Sequence, residues 1–301
     1  MSKLILIDGN AILHRAYHAL PKSLTTKEGE PINAVYGFVS MLLRIIQDLE
    51  PTHLAVAFDR KEPTFRKEKF EEYQAHRPEM DEELVSQFDK TKKILTAMGI
   101  PVYSKVGFEA DDVIGTLSRK ASKDDFQEID IVTGDRDILQ LVDDKVKVYL
   151  PVRGLSEGKL FGEREVVEKM GVKPKQIVDY KGLVGDPSDN YKGVAGIGPK
   201  TAENLLEEYG SFEKIYENLD KLPKNLKEKL EKDRESAETS YMLAKIVTDV
   251  DVDLDRKGMG KWNVKDKKLL DVFGNFGFKT LTKRVKDVGK TLEEKKQGSL
   301  F

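Results

Sequence analysis

Three apolar runs of strand length, Lys3–Asp8 (KLILID), His53–Asp59 (HLAVAFD) and Ile129–Asp135 (IDIVTGD), each end on an aspartate. Helical patterns with 3.6-residue apolar spacing, at Ala11–Leu20, Ala34–Leu49 and Glu109–Ala121, separate them. Shorter strand signals stand at Pro101–Tyr103 and Val146–Leu150. Strands joined by long helical crossovers pair in parallel, so the pattern predicts an α/β fold with a mainly parallel sheet flanked by helices. The C-terminal ends of parallel strands share one edge, where such sheets bind ligands. Asp8, Asp59 and Asp135 are therefore expected together. After about Glu163 the strand signals fade, and helical patterns run to Phe276 around a Gly-rich turn at Gly193–Gly198.

One strand-end aspartate is usually a helix N-cap. Three brought together would raise one another's pKa and oppose folding unless cations neutralise them. More acids join them: Glu109, Asp111 and Asp112 open a helix, Asp137 follows Asp135, and Asp186 and Asp189 sit in the turn-like stretch Gly185–Asn190. Helix dipoles and Asx turns explain such acids singly. With no Cys and only His14, His18, His53 and His76, thiol catalysis and zinc ribbons are excluded and a histidine-based zinc site or triad is disfavoured. An all-oxygen donor set suits Mg²⁺ or Mn²⁺, and this many carboxylates suits two ions rather than one. Two such ions fit in-line attack on a phosphodiester. The net charge is −2, but assigning nine of the 53 acids to metals leaves 44 against 51 bases, a net of +7 suited to nucleic acid. The stretch 256–301 holds 13 basic and 5 acidic residues.

The turn Gly193-Val-Ala-Gly196-Ile-Gly198-Pro199-Lys200 leads into a helix. Glycines allow close backbone approach, and the N–H groups of a helix start bind anions. Helical patterns on both sides make residues 183–207 a helix–hairpin–helix, gripping duplex phosphates without reading sequence. The segment Arg60–Glu83 mixes many charges with Phe65, Phe70 and Tyr73, and is long for a connection in a compact domain.

In order from Leu4 to about Leu206, the segments LILIDGNAILHRAYHAL, NAVYGF, AFDR, TFRKEKFEEYQAHRP, GFEADDVIGTL, TGDRDILQLV and GLVGDPSDNYKGVAGIGPKTAENLL resemble the 5′ nuclease family. That family comprises the N-terminal domain of bacterial DNA polymerase I, phage 5′ exonucleases and flap endonucleases. The resemblance implies a PIN-like core over residues 1–175, including a helical arch at 60–83. It also implies a helical DNA-binding region over 176–289, followed by a flexible tail at 290–301. It implies a first metal site centred on Asp8, Asp59, Glu109 and Asp111, and a second drawing on Asp112, Asp135, Asp137, Asp186 and Asp189. Arg15, Arg66, Tyr73 and Arg77 match positions that contact substrate near the scissile phosphate, with Arg66 and Arg77 in catalytic roles. Tyr73 is placed to stack on a base. Gly193, Gly196, Gly198 and Lys200 would hold duplex, with a K⁺ ion in the hairpin. The sequence departs from the family at Gln74, where a Lys is common, and at Tyr191-Lys192, where Ile-Pro is common.

The expected reaction is hydrolysis of DNA at 5′ flaps and 5′ ends, in primer removal and repair, with RNA-primed DNA as a further substrate. A PIN-type ribonuclease and a non-catalytic junction-binding protein are the alternatives; intact carboxylates disfavour the second, and the hairpin and arch disfavour the first. The last five residues, QGSLF, resemble the peptide by which replication proteins dock on the sliding clamp, with Gln297, Leu300 and Phe301 as its anchors. This ending is expected of a stand-alone nuclease. No apolar run reaches membrane-span length, and Lys3 already opens a strand, so a cytoplasmic protein is expected; the sequence is silent on oligomeric state, for which a monomer is the default.

Overall fold

The computed structural model describes residues 2–153 and 157–298. Six strands, β1 (Lys3–Asp8), β2 (His53–Ala57), β3 (Val102–Tyr103), β4 (Glu128–Val132), β5 (Val146–Arg153) and β6 (Glu157–Phe161), form one sheet in the order β3-β2-β1-β4-β5-β6. The first five are parallel, and β6 pairs antiparallel with β5. Strand β6 lacked a sequence signal because Glu157, Gly158 and Lys159 leave only Leu160 and Phe161 apolar, and only Phe161 is buried.

The period of two in β1 sends Leu4 and Leu6 to one face and Ile5 and Ile7 to the other, all fully buried. On the first face lies α5 (Ala110–Lys123), whose Val113, Ile114, Leu117 and Ala121 form one helical stripe. On the second lie α1 (Gly9–Ala19), α2 (Asn33–Leu49) and α4 (Glu82–Ala97). In α2 the buried Val35, Phe38, Val39, Leu42 and Ile46 repeat at three and four residues. Each such side chain contributes roughly 1.5–3 kcal/mol relative to exposure. The only helix between β2 and α4 is the short α3 (Phe65–Lys69), so turns make up most of the expected arch.

Beyond β6 the chain is helical: α6 (Glu163–Met170), α7 (Ile177–Val184), α8 (Pro199–Tyr209), α9 (Phe212–Glu217), α10 (Lys224–Lys232) and α11 (Arg234–Ala244). Helix α11 packs on α7, and α7 on α8. After α12 (Arg256–Met259), helices α13 (Lys267–Phe276) and α14 (Lys279–Gly298) return to the core, against α4 and α2. Their Leu269, Phe273, Leu281, Val285 and Val288 join the cluster around Phe38. The stretch 290–298, read as the start of a flexible tail, instead continues α14. The stripe Leu281, Val285, Val288 and Leu292 carries past Lys290, and Lys295 pairs with Glu50. Gln297 lies on this helix, whereas the clamp anchors Leu300 and Phe301 lie outside the described residues. No described helix is long and apolar enough to cross a membrane.

Candidate active site

Strand β1 is flanked by β2 on one side and β4 on the other, so the strand order reverses there and opens a crevice at the C-terminal edge. Asp8 ends β1, Asp59 follows β2, and Asp135 and Asp137 follow β4. Helix α5 begins at the same edge, where its first-turn Ala110 N–H donates to Asp59 at 2.6 Å. This brings Glu109 and Asp111 in beside the strand ends.

Asp8 has the ordinary helix-capping role as well as its place in the cluster: one oxygen accepts from the Ala11 N–H at 3.0 Å, the other from the Thr133 hydroxyl at 2.8 Å. Burial, outweighing these bonds and aided by Asp59 and Asp135, pushes its carboxyl up to about 7. Asp111 is the centre of the group. Burial, then Asp135, Asp8, Asp59 and Glu109 in turn, hold it well above the ordinary 3.8. Burial likewise pushes Glu109 up to about 7, although Arg66 opposes the shift. Crowding like charges in this way is unfavourable without a cation.

A second group adjoins the first. Carboxylate oxygens of Asp137, Asp186 and Asp189 lie within 4.8 Å of one another. A cleft of about 440 Å³ opens here, bordered by Arg77, Asp135, Asp137, Lys181, Asp186 and Asp189. Asp135 links the two groups, acting electrostatically on Asp8 and Asp111 in the first and on Asp137 and Asp189 in the second. The donor set is all oxygen and closely spaced. Burial raises Asp8, Asp59, Glu109, Asp111, Asp137 and Asp189, whereas at Asp186 burial is outweighed by hydrogen bonds from Lys181 and Ser188, which hold it below its usual value. Such a set fits divalent hard cations.

Lys181 escaped the sequence reading. Its ammonium, carried on α7, bridges Asp137 and Asp186, the latter at 2.5 Å. The one available signal was a basic residue five positions before Asp186, on the helix entering that turn. The buried cation holds the two carboxylates together where positive charge is needed.

Three expectations need correction. Asp112 is fully buried and, although its charge is felt by Asp59 and Glu109, both its oxygens are already taken: they accept from Arg66 at 2.7 and 2.8 Å, from Val247 N–H at 2.8 Å and from Glu109 N–H at 3.1 Å. Arg66, expected at the scissile phosphate, is only 2% exposed. Its remaining N–H groups reach Glu109 at 3.1 Å and the carbonyls of Leu243 at 2.9 Å and Lys245 at 2.8 Å. The guanidinium therefore ties the arch base, the start of α5 and the end of α11 into one unit. Tyr73 is not open for base stacking either. It is buried with Tyr191, Leu243 and Ala244, its hydroxyl 3.4 Å from Glu109.

The rest of the arch segment lies over the second group. Gln74 takes a left-handed backbone (φ 55°) and donates its N–H to the Asp189 carbonyl at 3.0 Å. Arg77, half-exposed, pairs with Asp189 at 2.7 Å. Arg15 is half-buried on α1.

The Gly-rich turn lies between α7 and α8, as the helix–hairpin–helix reading requires. Gly193 and Gly196 have φ of 63° and 77°, whereas Gly198 caps α8 with ordinary extended backbone. Lys200, in the first turn of α8, pairs loosely with Glu203 at 3.3 Å. The Ala195 N–H donates to Asp233 at 2.8 Å, and the Gly196 carbonyl accepts from Lys229 at 3.1 Å. The Lys229 ammonium thus occupies one carbonyl of the hairpin at which the resemblance implies a K⁺ ion. A Cβ at Gly193 would come within 3.0 Å of the backbone of Gly185 and Leu183. Gly193→Ala is expected to destabilise the protein by about 3 kcal/mol, measured by urea unfolding.

Two family models cover nearly the whole chain: the 5′-3′ exonuclease N-terminal resolvase-like domain over residues 3–171, and the 5′-3′ exonuclease C-terminal SAM fold over residues 172–268. The DNA polymerase I of Bacillus subtilis is 40% identical over 284 residues, which is 94% of this chain and 32% of that protein. That of Caldicellulosiruptor bescii is 43% identical over 287 residues, 94% of this chain and 33% of that protein. The chain thus spans about a third of the length of these curated relatives. The T5 D15 protein co-crystallised with metal ions shares the fold at a TM-score of 0.66 and 22% identity, covering 95% of this chain and 98% of its own. The catalytic core of Rad2 in complex with DNA substrate does so at 0.61 and 17%, covering 95% and 92%. With both family models matched in order, and the acidic edge occupying the crevice of the shared fold, the chain belongs to the 5′-3′ exonuclease family.

Proposed function

We propose that the chain hydrolyses DNA phosphodiesters at 5′ flaps and 5′ ends, as a structure-selective 5′-3′ exonuclease and flap endonuclease. The carrying observation is the convergence of Asp8, Asp59, Glu109, Asp111, Asp135, Asp137, Asp186 and Asp189 on one sheet edge, with Asp135 joining its two halves. Asp8, Asp59, Glu109, Asp111 and Asp135 would hold one divalent ion, and Asp137, Asp186 and Asp189 the other. Bound there, Mg²⁺ or Mn²⁺ would supply an activated water and offset charge on the leaving oxygen.

The chain's own residues would do the rest. Lys181 and Arg77 place positive charge beside the cleft, where a scissile phosphate must sit. Duplex would rest on the turn at Gly193–Gly198, with Lys200 at its helix start. Gln74 offers hydrogen bonds but no charge. The segment 60–83, pinned through Arg66 and Arg77, would admit a 5′ end only after its outer part lifts from Asp189. RNA-primed DNA, and a sliding clamp engaged through Gln297, Leu300 and Phe301, complete the proposal on sequence grounds.

The test is cleavage of a 5′-labelled flap duplex. With Mg²⁺ the expected products are cut near the junction and carry 5′-phosphate and 3′-hydroxyl ends; EDTA should abolish them. Equal cutting in EDTA, or products spread evenly along single strands, would overturn the proposal.

A further inference from the structure

Helix α1 carries a second constellation with ligand chemistry, separate from the carboxylates. His14 and His18 are four residues apart, both exposed, and their rings lean together at 60° with centroids 4.5 Å apart. Their Nε2 atoms approach to 3.3 Å. Two imidazoles at i and i+4 on one helix face are a chelating pair. Nitrogen ligands sit about 2.0–2.1 Å from Zn²⁺, so two of them at a tetrahedral ion are roughly 3.3–3.4 Å apart. The pair therefore has its ligand spacing before any ion arrives.

We propose that His14 and His18 form a bidentate site for a borderline divalent transition-metal ion, Zn²⁺ or Ni²⁺, on the open face of α1. In the resting pair one Nε2–H donates to the other Nε2. On binding, that proton moves to the ring's Nδ1 or leaves to solvent, and both Nε2 lone pairs face the ion. Water completes the coordination, since both rings are exposed. Burial, then His18 and Arg77, hold the His14 imidazole below its usual value, which favours the ligating neutral form. Mg²⁺ prefers oxygen and keeps its water, so the imidazole pair discriminates against it. The proximity to Arg77 places such an ion next to the arch segment, so occupancy would add positive charge where that segment meets α1.

The test is a calorimetric titration with Zn²⁺ and with Ni²⁺ in Mg²⁺, of the full chain and of the double variant His14→Gln with His18→Gln, which subtracts ions that displace Mg²⁺ from the carboxylates. The full chain should bind one equivalent more than the double variant. His14→Gln and His18→Gln, each a surface change, should each weaken binding at least about tenfold, and the ring resonances of both histidines should shift on titration. Unchanged affinity in both variants, or no binding above Mg²⁺, would overturn the proposal. Because the readout is binding, it is independent of whether the chain cuts flaps.

Discussion

Asp111→Asn is expected to make the metal-free protein more stable and at the same time to lower flap cleavage by about 10³-fold. Both effects follow from its position. Four carboxylates and burial raise the folded-state pKa of Asp111 well above 3.8. Between 3.8 and the raised value the folded protein retains a proton that the unfolded chain has released. Stability therefore falls as pH rises through that window. Asp8, Glu109 and Asp137, all pushed up to about 7, act with the same sign. Without divalent ions the wild type should thus lose stability from pH 5 to pH 8. Asn carries no charge, and its substitution should recover about 1–2 kcal/mol at pH 8. Mg²⁺ should reverse the order, because it binds only the folded state and binds the intact cluster better. Urea unfolding at both pH values, in EDTA and in Mg²⁺, measures this. A mutant less stable than wild type in EDTA at pH 8 would contradict the cluster assignment.

Arg66→Ala is expected to cost about 3–5 kcal/mol of stability. The substitution leaves the fully buried Asp112 without its two charge-assisted bonds at 2.7 and 2.8 Å. It also frees the carbonyls of Leu243 and Lys245. Arg66→Lys should recover little, since an ammonium cannot span a carboxylate and two carbonyls at once. The pair Arg77–Asp189 provides the contrast. The Arg77 side chain is 53% exposed, so Arg77→Ala should cost no more than about 1 kcal/mol while still reducing cleavage. The combined change Arg66→Leu with Asp112→Leu should be milder than Arg66→Ala alone, if the orphaned charge dominates. Urea midpoints of the four variants decide it; equal losses for Arg66→Ala and Arg77→Ala would show that the buried tie is unimportant.

Asp8, Asp59 and Asp135 were legible as a group because each ends an apolar run of strand length, and parallel strands deliver their ends to one edge. The hairpin at Gly193–Gly198 was legible for a similar reason. Glycine, proline and the following helical pattern are neighbours in the chain, so their meaning is local.

The sequence by itself determined that the strand-end aspartates Asp8, Asp59 and Asp135 would meet at one sheet edge, and only the tertiary structure decided which other groups join them and what each meets there. Asp112 stands next to Asp111, but one helix position, about 100° of rotation, gives its oxygens Arg66 as partner. Arg66 in turn finds a carbonyl 177 residues away, and Lys181 reaches Asp137 across 44. Tyr73 reads as an arch aromatic until α11 covers it, and Lys290 reads as the start of a tail until α14 lies on α2. Periodicity reports which side of an element faces inward; it carries no information on which distant element will supply the partner. That choice is made by packing and by the cost of leaving a buried charge or N–H unpaired, and both are settled only when the whole chain has folded.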